Sequence, residues 1–301
     1  MSMDITFLKE DQIWGDKALQ VIKSYGTKTG MSDLAIVLGG AIGSSNKTSD
    51  NQLSGYLWSA SSDGNGSVRA VHYVGDRDSL NPDLRLAGAR PALPSSVASS
   101  IKPSEARLTR KIGDVQVVEF GEYPQTIAAE AINRELEQAF SRGQLQKTGK
   151  TYTFDGEKRD AYDKPFSAKE HAEYQHKGKR YIRVEGQPFN DNSVLSNGKK
   201  SQAGEACWIE VQPIEWLKDP SGVMVARQAL FSGVQFDRKQ NYDGNFENTD
   251  MKQYLQNHFA KEMLAGRNVG TPAALGPSTA SVTARRDTQR QRALDDPSQG
   301  L

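Results

Sequence analysis

The sequence predicts an α+β protein built from mixed, mostly antiparallel sheets with packed helices. Short alternating apolar/polar runs bounded by turn residues recur, most clearly at 67–75 and 173–186. Two longer β-prone runs, CWIEVQPIEW (207–216) and GVMVARQALF (222–231), flank the turn sequence KDPSG. Apolar residues at helical spacing mark 9–25, 126–142 and 249–263 as helices.

In chain order, Trp14, Ala18, Val21, Ile22 and Tyr25 give the first helix its face, and Gly26 stops it. SDLAIVLGG (32–40) opens on a possible N-cap, Ser32–Asp33, and its few residues fit a short helix or a buried strand equally. A polar loop at 44–52 leads to GYLWSASS (55–62). DGNG (63–66) turns the chain, and SVRAVHYVG (67–75) returns to complete a β-hairpin. That return sets Val68, Ala70, His72 and Val74 opposite Arg69, Val71 and Tyr73. DRDSLNPD (76–83) reads as a polar loop, too rich in Asp, Asn and Pro for regular structure. LRLAGARPAL (84–93) reads as a short strand limited by Pro91 and Pro94.

Composition then shifts. Residues 94–112 open on the Pro/Ser-rich PSSVASSIKPSE and are expected to link an N-terminal half, 1–93, to a C-terminal half, 113–266. In the second half, 114–124 alternates as a strand, and a helix is expected from Thr126 to about Arg142, ended by Gly143. Ile127, Ala131 and Glu135, with Ile132, Leu136 and Phe140, give it one apolar edge. Residues 150–171 read as irregular, and 173–186 as a hairpin turning at Lys177–Gly178. Long loops are expected from there to Glu205 and over 237–248. Thr249 caps the last helix, whose face is Met251, Tyr254, Leu255, His258, Phe259 and Met263, with Gly266 as its stop. Residues 267–301 lose periodicity and gain Pro, Ser, Thr, Arg and Asp, the composition of a disordered tail.

Two sets of residues carry a resemblance. Trp58, Ser59, Ser61, Ser62, Gly88, Ala89, Arg90, Pro91, Ala92 and Leu93 match a "W-small-S … GxRPAL" ending. FGEYPQ (120–125), PIEW (213–216), LFSGVQFD (230–237) and TDMKQYLQNHFAKEM (249–263) match an "FGxYPQ … IEW … LRxWLNxxF" half. Together they resemble a bacterial domain family of unknown function related to the C-type-lectin-like and sulfatase-modifying-factor (formylglycine-generating-enzyme-like) folds. The two halves stand in permuted order. The resemblance implies a lectin-like fold displaying variable loops; it implies no reaction, because such folds host many activities.

Hydrophobic residues are 36% of the 301, enough for a core, and the net charge of +1 gives no bias toward nucleic acid or an anionic membrane. The lone Cys207 excludes an intrachain disulfide and the paired thiols of formylglycine-generating oxidases. No apolar run reaches the ~20 residues that span a bilayer. The N-terminus lacks the layout of a signal peptide. The expected location is cytoplasmic by default, with signal-peptide-independent export left open.

Candidate chemistry concentrates at 61–83. Asp76, Asp78, Asn81 and Asp83 offer oxygen ligands for calcium, without the EF-hand glycine or distal Glu, and a solvated turn explains them as well. Arg69, His72, Tyr73, Arg77 and Asn81 are the candidate ligand-binding residues, mixing aromatic anchors with polar groups as interfaces do. Trp58 reads as core. The four histidines are scattered, and Cys207 reads as a buried thiol in a strand. The glycines of VLGGAIGSS lack a phosphate-loop spacing. The basic run HKGKRYIR (176–183) is flanked by glutamates and reads as a solvated hairpin face. The expected function is therefore non-catalytic binding of a protein or glycan, with neither nucleic acid nor membrane as partner. The alternative is a hydrolase or transferase whose carboxylates, among them Glu119, Glu122 and Glu215, converge in the fold.

Overall fold

Runs of Val, Ile, Trp and Tyr in the second half of the chain assemble most of its largest sheet, and the first half adds one short strand to it and packs against it. The computed structural model describes residues 3–265 apart from 159, 162 and 192. Three short helices come first: α1 (Glu10–Ile13), α2 (Gln20–Tyr25) and α3 (Asp33–Val37). Strands β1 (Ile42–Lys47) and β2 (Leu53–Gly55) form a two-stranded ribbon. A three-stranded meander follows, β3 (Leu57–Ser62), β4 (Val68–Val71) and β5 (Arg77–Leu80). Next come β6 (Ala92–Leu93), helix α4 (Ser95–Ser100), β7 (Arg107–Ile112), β8 (Val115–Ile127) and helix α5 (Glu130–Ser141). Then run β9 (Gln146–Asp155), β10 (Ala168–His176), β11 (Lys179–Glu185), β12 (Ala206–Lys218) and β13 (Met224–Ala226). After a 3₁₀ turn at Phe246–Asn248, the last helix is α6 (Asp250–Tyr254), a π-helical segment Leu255–Phe259, and α7 (Ala260–Leu264).

The eight-stranded sheet runs β6-β13-β12-β11-β10-β9, with β8 along the other edge of β12 and β7 beyond it. Each of these pairings is antiparallel; the parallel contacts are single bridges, Met31 with Ala229 and Leu57 with Gly88. β12 is long because its inward residues are Cys207, Ile209, Val211, Ile214 and Trp216, all buried. The Trp216 indole donates to the Phe120 carbonyl at 2.8 Å, so its one polar atom is satisfied in the core. A smaller cluster, Leu136, Tyr174, Tyr181 and Trp208, fastens α5 to the opposite face.

β9 is an edge strand, and its outer edge is covered by side chains of the last helix. The Thr153 N–H donates to Glu262 Oε1 at 2.8 Å, and the Tyr254 hydroxyl donates to the Thr153 carbonyl at 2.7 Å. Bonding both groups blunts an edge that would otherwise recruit another strand. Thr249 accepts from the Lys252 N–H at 3.1 Å, the cap expected from sequence.

One core joins the two halves of the sequence. Ile5, Leu34, Leu57 and Leu93 share it with Val117, Trp216, Phe231 and Phe259, and the chain from Met1 to Gly266 forms one unit. β6 pairs with β13, Thr6 bridges Ala92, and Ala89 bridges Phe231. The stretch 94–112 is not an open linker: it carries α4 and β7.

Other expectations change in physical detail. The helix expected over 9–25 breaks in two, because Trp14 is extended (φ −125°, ψ 151°) and 15–18 turn. SDLAIVLGG takes the helical option, its cap Ser32 accepting from the Ala35 N–H at 3.1 Å. The Asp-rich 76–83 contains β5, whose backbone pairs with β4 from Val68–Leu80 to Val71–Arg77. Within 150–171, the first residues belong to β9 and the last to β10. The helix expected from Thr126 starts at Glu130, since β8 runs on to Ile127, paired with Ile209. Gly266 and the tail 267–301 lie outside the described residues. Among the described residues no helix is long and apolar enough to cross a membrane.

Candidate functional site

Tyr56 stands between β2 and β3, fixed by backbone bonds from its N–H to the Ala41 carbonyl (2.9 Å) and to its carbonyl from the Gly88 N–H (2.7 Å). His72 and Tyr73 follow β4 in the turn toward β5. The His72 N–H donates to the Asp76 carbonyl at 2.9 Å, and its Nδ1 accepts from the Val74 N–H at 3.3 Å. These anchors present three rings together. Tyr56 meets His72 at 85° with centroids 4.7 Å apart, and Tyr73 at 82° and 5.7 Å. His72 and Tyr73 lie 3.8 Å apart at 38°.

The rings line an open cleft of about 470 Å³, closed on other sides by Ile42, Gly43, Ser44, Leu80, Leu86 and, from the loop after β11, Phe189 and Asn190. Gly43 has to be small: a Cβ there would come within 2.8 Å of the Tyr73 ring. The Tyr56 hydroxyl donates to Asp78 Oδ2, and Asp78 Oδ1 accepts from the Ser79 N–H at 2.8 Å. Burial first, then the Asp78 carboxylate, pushes the Tyr56 hydroxyl well above its usual range, so it stays protonated.

Of the residues singled out from sequence, His72 and Tyr73 line this cleft; Arg69, Arg77 and Asn81 are not in its lining. Arg69 and Arg77 converge on Glu10 at 3.4 and 3.0 Å, Arg69 also donating to the Ser79 hydroxyl at 3.0 Å. Arg77 lies over the Trp14 ring at 5.3 Å, so both arginines brace α1. Asn81 is exposed just beyond β5. Tyr56 and Phe189 were missed, for different reasons. Tyr56 reads as one more aromatic of a strand, and Phe189 lies over a hundred residues away with no pattern linking it to Tyr73.

The calcium candidates are dispersed. Asp76 is exposed in the turn, Asp78 serves Tyr56, Asn81 is exposed, and buried Asp83 accepts from Gln240 Nε2 at 2.8 Å. Among the described residues no three His, Cys, Asp or Glu side chains are grouped to hold a metal. The carboxylates of the enzyme alternative are each set against arginine: Glu119 against Arg107 (2.5 Å), Glu122 against Arg180 (2.7 Å) and Glu215 against Arg227 (2.5 Å). The basic run is likewise matched, with His176 and Lys177 at Glu135, Lys179 at Glu210, Arg180 at Glu122 and Arg183 at Glu137. Burial pushes the Cys207 thiol up to about 11 and His171 and His258 down, as expected of packed residues. Trp58 is core, its ring 5.3 Å from that of Phe236.

Comparison with protein-family models, with curated proteins and with solved structures finds no match to this chain.

Proposed function

We propose that this protein is a non-catalytic binding module that takes a group of a protein or glycan ligand into the cleft walled by Tyr56, His72 and Tyr73. The observation that carries the reading is the cleft itself. Its volume of about 470 Å³ lies within the range of small-ligand sites, and its walls are mostly aromatic and aliphatic with a few polar groups. Half-exposed rings held by a rigid backbone bind at little entropic cost. The carboxylate-based alternative draws less support, because Glu119, Glu122 and Glu215 are each drawn to an arginine. The lectin-like relationship is part of the same proposal. It rests on the GARPAL and FGEYPQ matches and on the pairing of the two motif-bearing halves in one sheet.

The test is titration of the full chain against a panel of glycans and peptides, read by calorimetry. Tyr73→Ala should weaken the ligand found by about tenfold or more while leaving the melting temperature within a few degrees. A ligand whose affinity is indifferent to both Tyr73→Ala and His72→Ala binds elsewhere, and the cleft reading is then wrong.

A further inference from the structure

We propose that the group seated in this cleft is an alkylated ammonium, a trimethylammonium or its like. This inference rests on the reading of the cleft as a binding site and adds the chemical class of what it holds.

The ring geometry comes first. Tyr56 packs edge-on, at 85° to His72 and 82° to Tyr73, His72 and Tyr73 lie 3.8 Å apart, and these three rings line the cleft together with Phe189. An aromatic face is the negative end of a quadrupole, and several faces around one volume attract a cation without accepting a hydrogen bond from it.

The carboxylate comes second. The Tyr56 hydroxyl donates to Asp78, whose other oxygen is held by the Ser79 N–H. Donation to a carboxylate enriches the phenol ring in electron density and fixes a negative charge behind that wall. The lining itself contains no Lys, Arg, Asp or Glu. The arginines of the same sheet, Arg69 and Arg77, are drawn to Glu10 instead. Among the described residues the lining therefore holds no Lys or Arg to compete with a bound cation, and the nearest fixed negative charge tied to it is the Asp78 carboxylate behind Tyr56.

The remaining lining decides what kind of cation. A bare ammonium losing its water needs about three acceptors, and Ser44 and Asn190 are the only polar side chains there besides the Tyr and His groups. Methyl groups spread the charge and pack against Ile42, Leu80 and Leu86. A neutral saccharide, by contrast, presents many hydroxyls to few partners.

The experiment uses the full chain and weak-binding NMR, with choline, tetramethylammonium, the neutral isostere 3,3-dimethylbutanol and the glycan panel as probes. Choline and tetramethylammonium should shift the amide signals of Tyr56, His72 and Tyr73, and choline should bind about tenfold more tightly than its isostere. Asp78→Asn, which keeps an acceptor for the Tyr56 hydroxyl, should weaken choline several-fold and leave the isostere unchanged. Tyr73→Leu, which keeps apolar bulk, should do the same if the ring face matters. Equal binding of choline and isostere would make this an apolar pocket and overturn the proposal. A glycan or peptide shifting those signals where choline does not would overturn the cation and leave the binding reading standing. Silence from every probe would remove both.

Discussion

At the scale of single residues, Glu262 is a carboxyl whose burial moves its titration into the neutral range. One oxygen accepts from the Thr153 N–H; the other, Oε2, is buried with no hydrogen-bond partner among the described residues. Burial pushes this carboxyl up to about 7, against the pull of Lys150 from β9, with Glu170 from β10 adding to the rise. The Tyr123 and Tyr254 hydroxyls face it from β8 and α6. The folded pKa exceeds the unfolded value of about 4.5. The folded state therefore keeps a proton that the unfolded chain releases between these values. The contribution of Glu262 to stability is then full below about pH 4.5, falls as pH rises through about 7, and levels off above, a loss on the order of 3 kcal/mol from this group. Glu262→Gln keeps the acceptor for Thr153 and cannot ionise. Urea unfolding at pH 5 and pH 8 should show the wild type losing more stability than the variant; parallel losses would mean that Glu262 is not the group responsible. Arg85 is the other extreme. Wholly buried, it pairs with Asp155 and donates to the Ala161 carbonyl at 3.2 Å and to Gln235 Oε1 at 3.3 Å. Arg85→Met should cost about 3–5 kcal/mol in denaturant unfolding, because it strands the Asp155 carboxylate. Adding Asp155→Leu should restore part of that loss.

At the scale of elements, the β10–β11 hairpin was legible because its turn chemistry is local. Lys177 (φ 49°) and Gly178 (φ 77°) both occupy the left-handed region that a two-residue turn of this hand requires. Gly178→Ala should lower stability by about 1 kcal/mol or more, seen as a fall in melting temperature, since a Cβ disfavours that backbone whatever space surrounds it. β5 was illegible for the converse reason. Its residues, Arg77, Asp78, Ser79 and Leu80, range from exposed to half-buried and carry no period, so nothing in their order marks a strand. Its bonds to β4 hold it extended. β9 is similar: from Gln146 to Gly149 it is exposed, and only Tyr152 to Phe154 meet the core. In the first helix, the spacing of Trp14, Val21 and Ile22 was genuine, yet both ends serve other contacts. Asp219 accepts from the Val21 N–H at 2.9 Å, and the Ser61 hydroxyl from the Glu10 N–H at 2.9 Å, so α1 is tied to β3 and α2 to the turn between β12 and β13.

At the scale of the whole molecule, the expected halves are mutually dependent. Residues 1–93 contribute Ile5, Leu34, Leu57 and Leu93 to a core whose other side is β8, β12 and the last helix. Asp33 on α3 accepts from the Ile127 N–H at 2.8 Å and the Ser196 N–H at 2.7 Å, joining segments nearly a hundred residues and more apart. Expressed separately, fragments 1–93 and 113–266 should each lack a cooperative thermal transition, because each exposes the apolar face the other covers. Circular dichroism melts check this, and a sharp independent transition in either fragment would show that it folds alone.

The sequence by itself determined the α+β class, the two hairpins with their turns, the long core strands β8 and β12, and the capped last helix. Each rests on a period, a turn dipeptide or a cap, which act over a few residues. His72 and Tyr73 were singled out from sequence for their residue types, on opposite faces of an expected strand over 67–75; β4 instead ends at Val71, and the turn after it brings both rings to one cleft. Only the tertiary structure decided that Phe189 and Asn190 come to line their cleft, that Tyr56 meets their rings at right angles over Asp78, and that Arg69 and Arg77 turn to Glu10. Those placements depend on contacts between residues far apart in the chain, and local periodicity carries no information about which distant surfaces will meet.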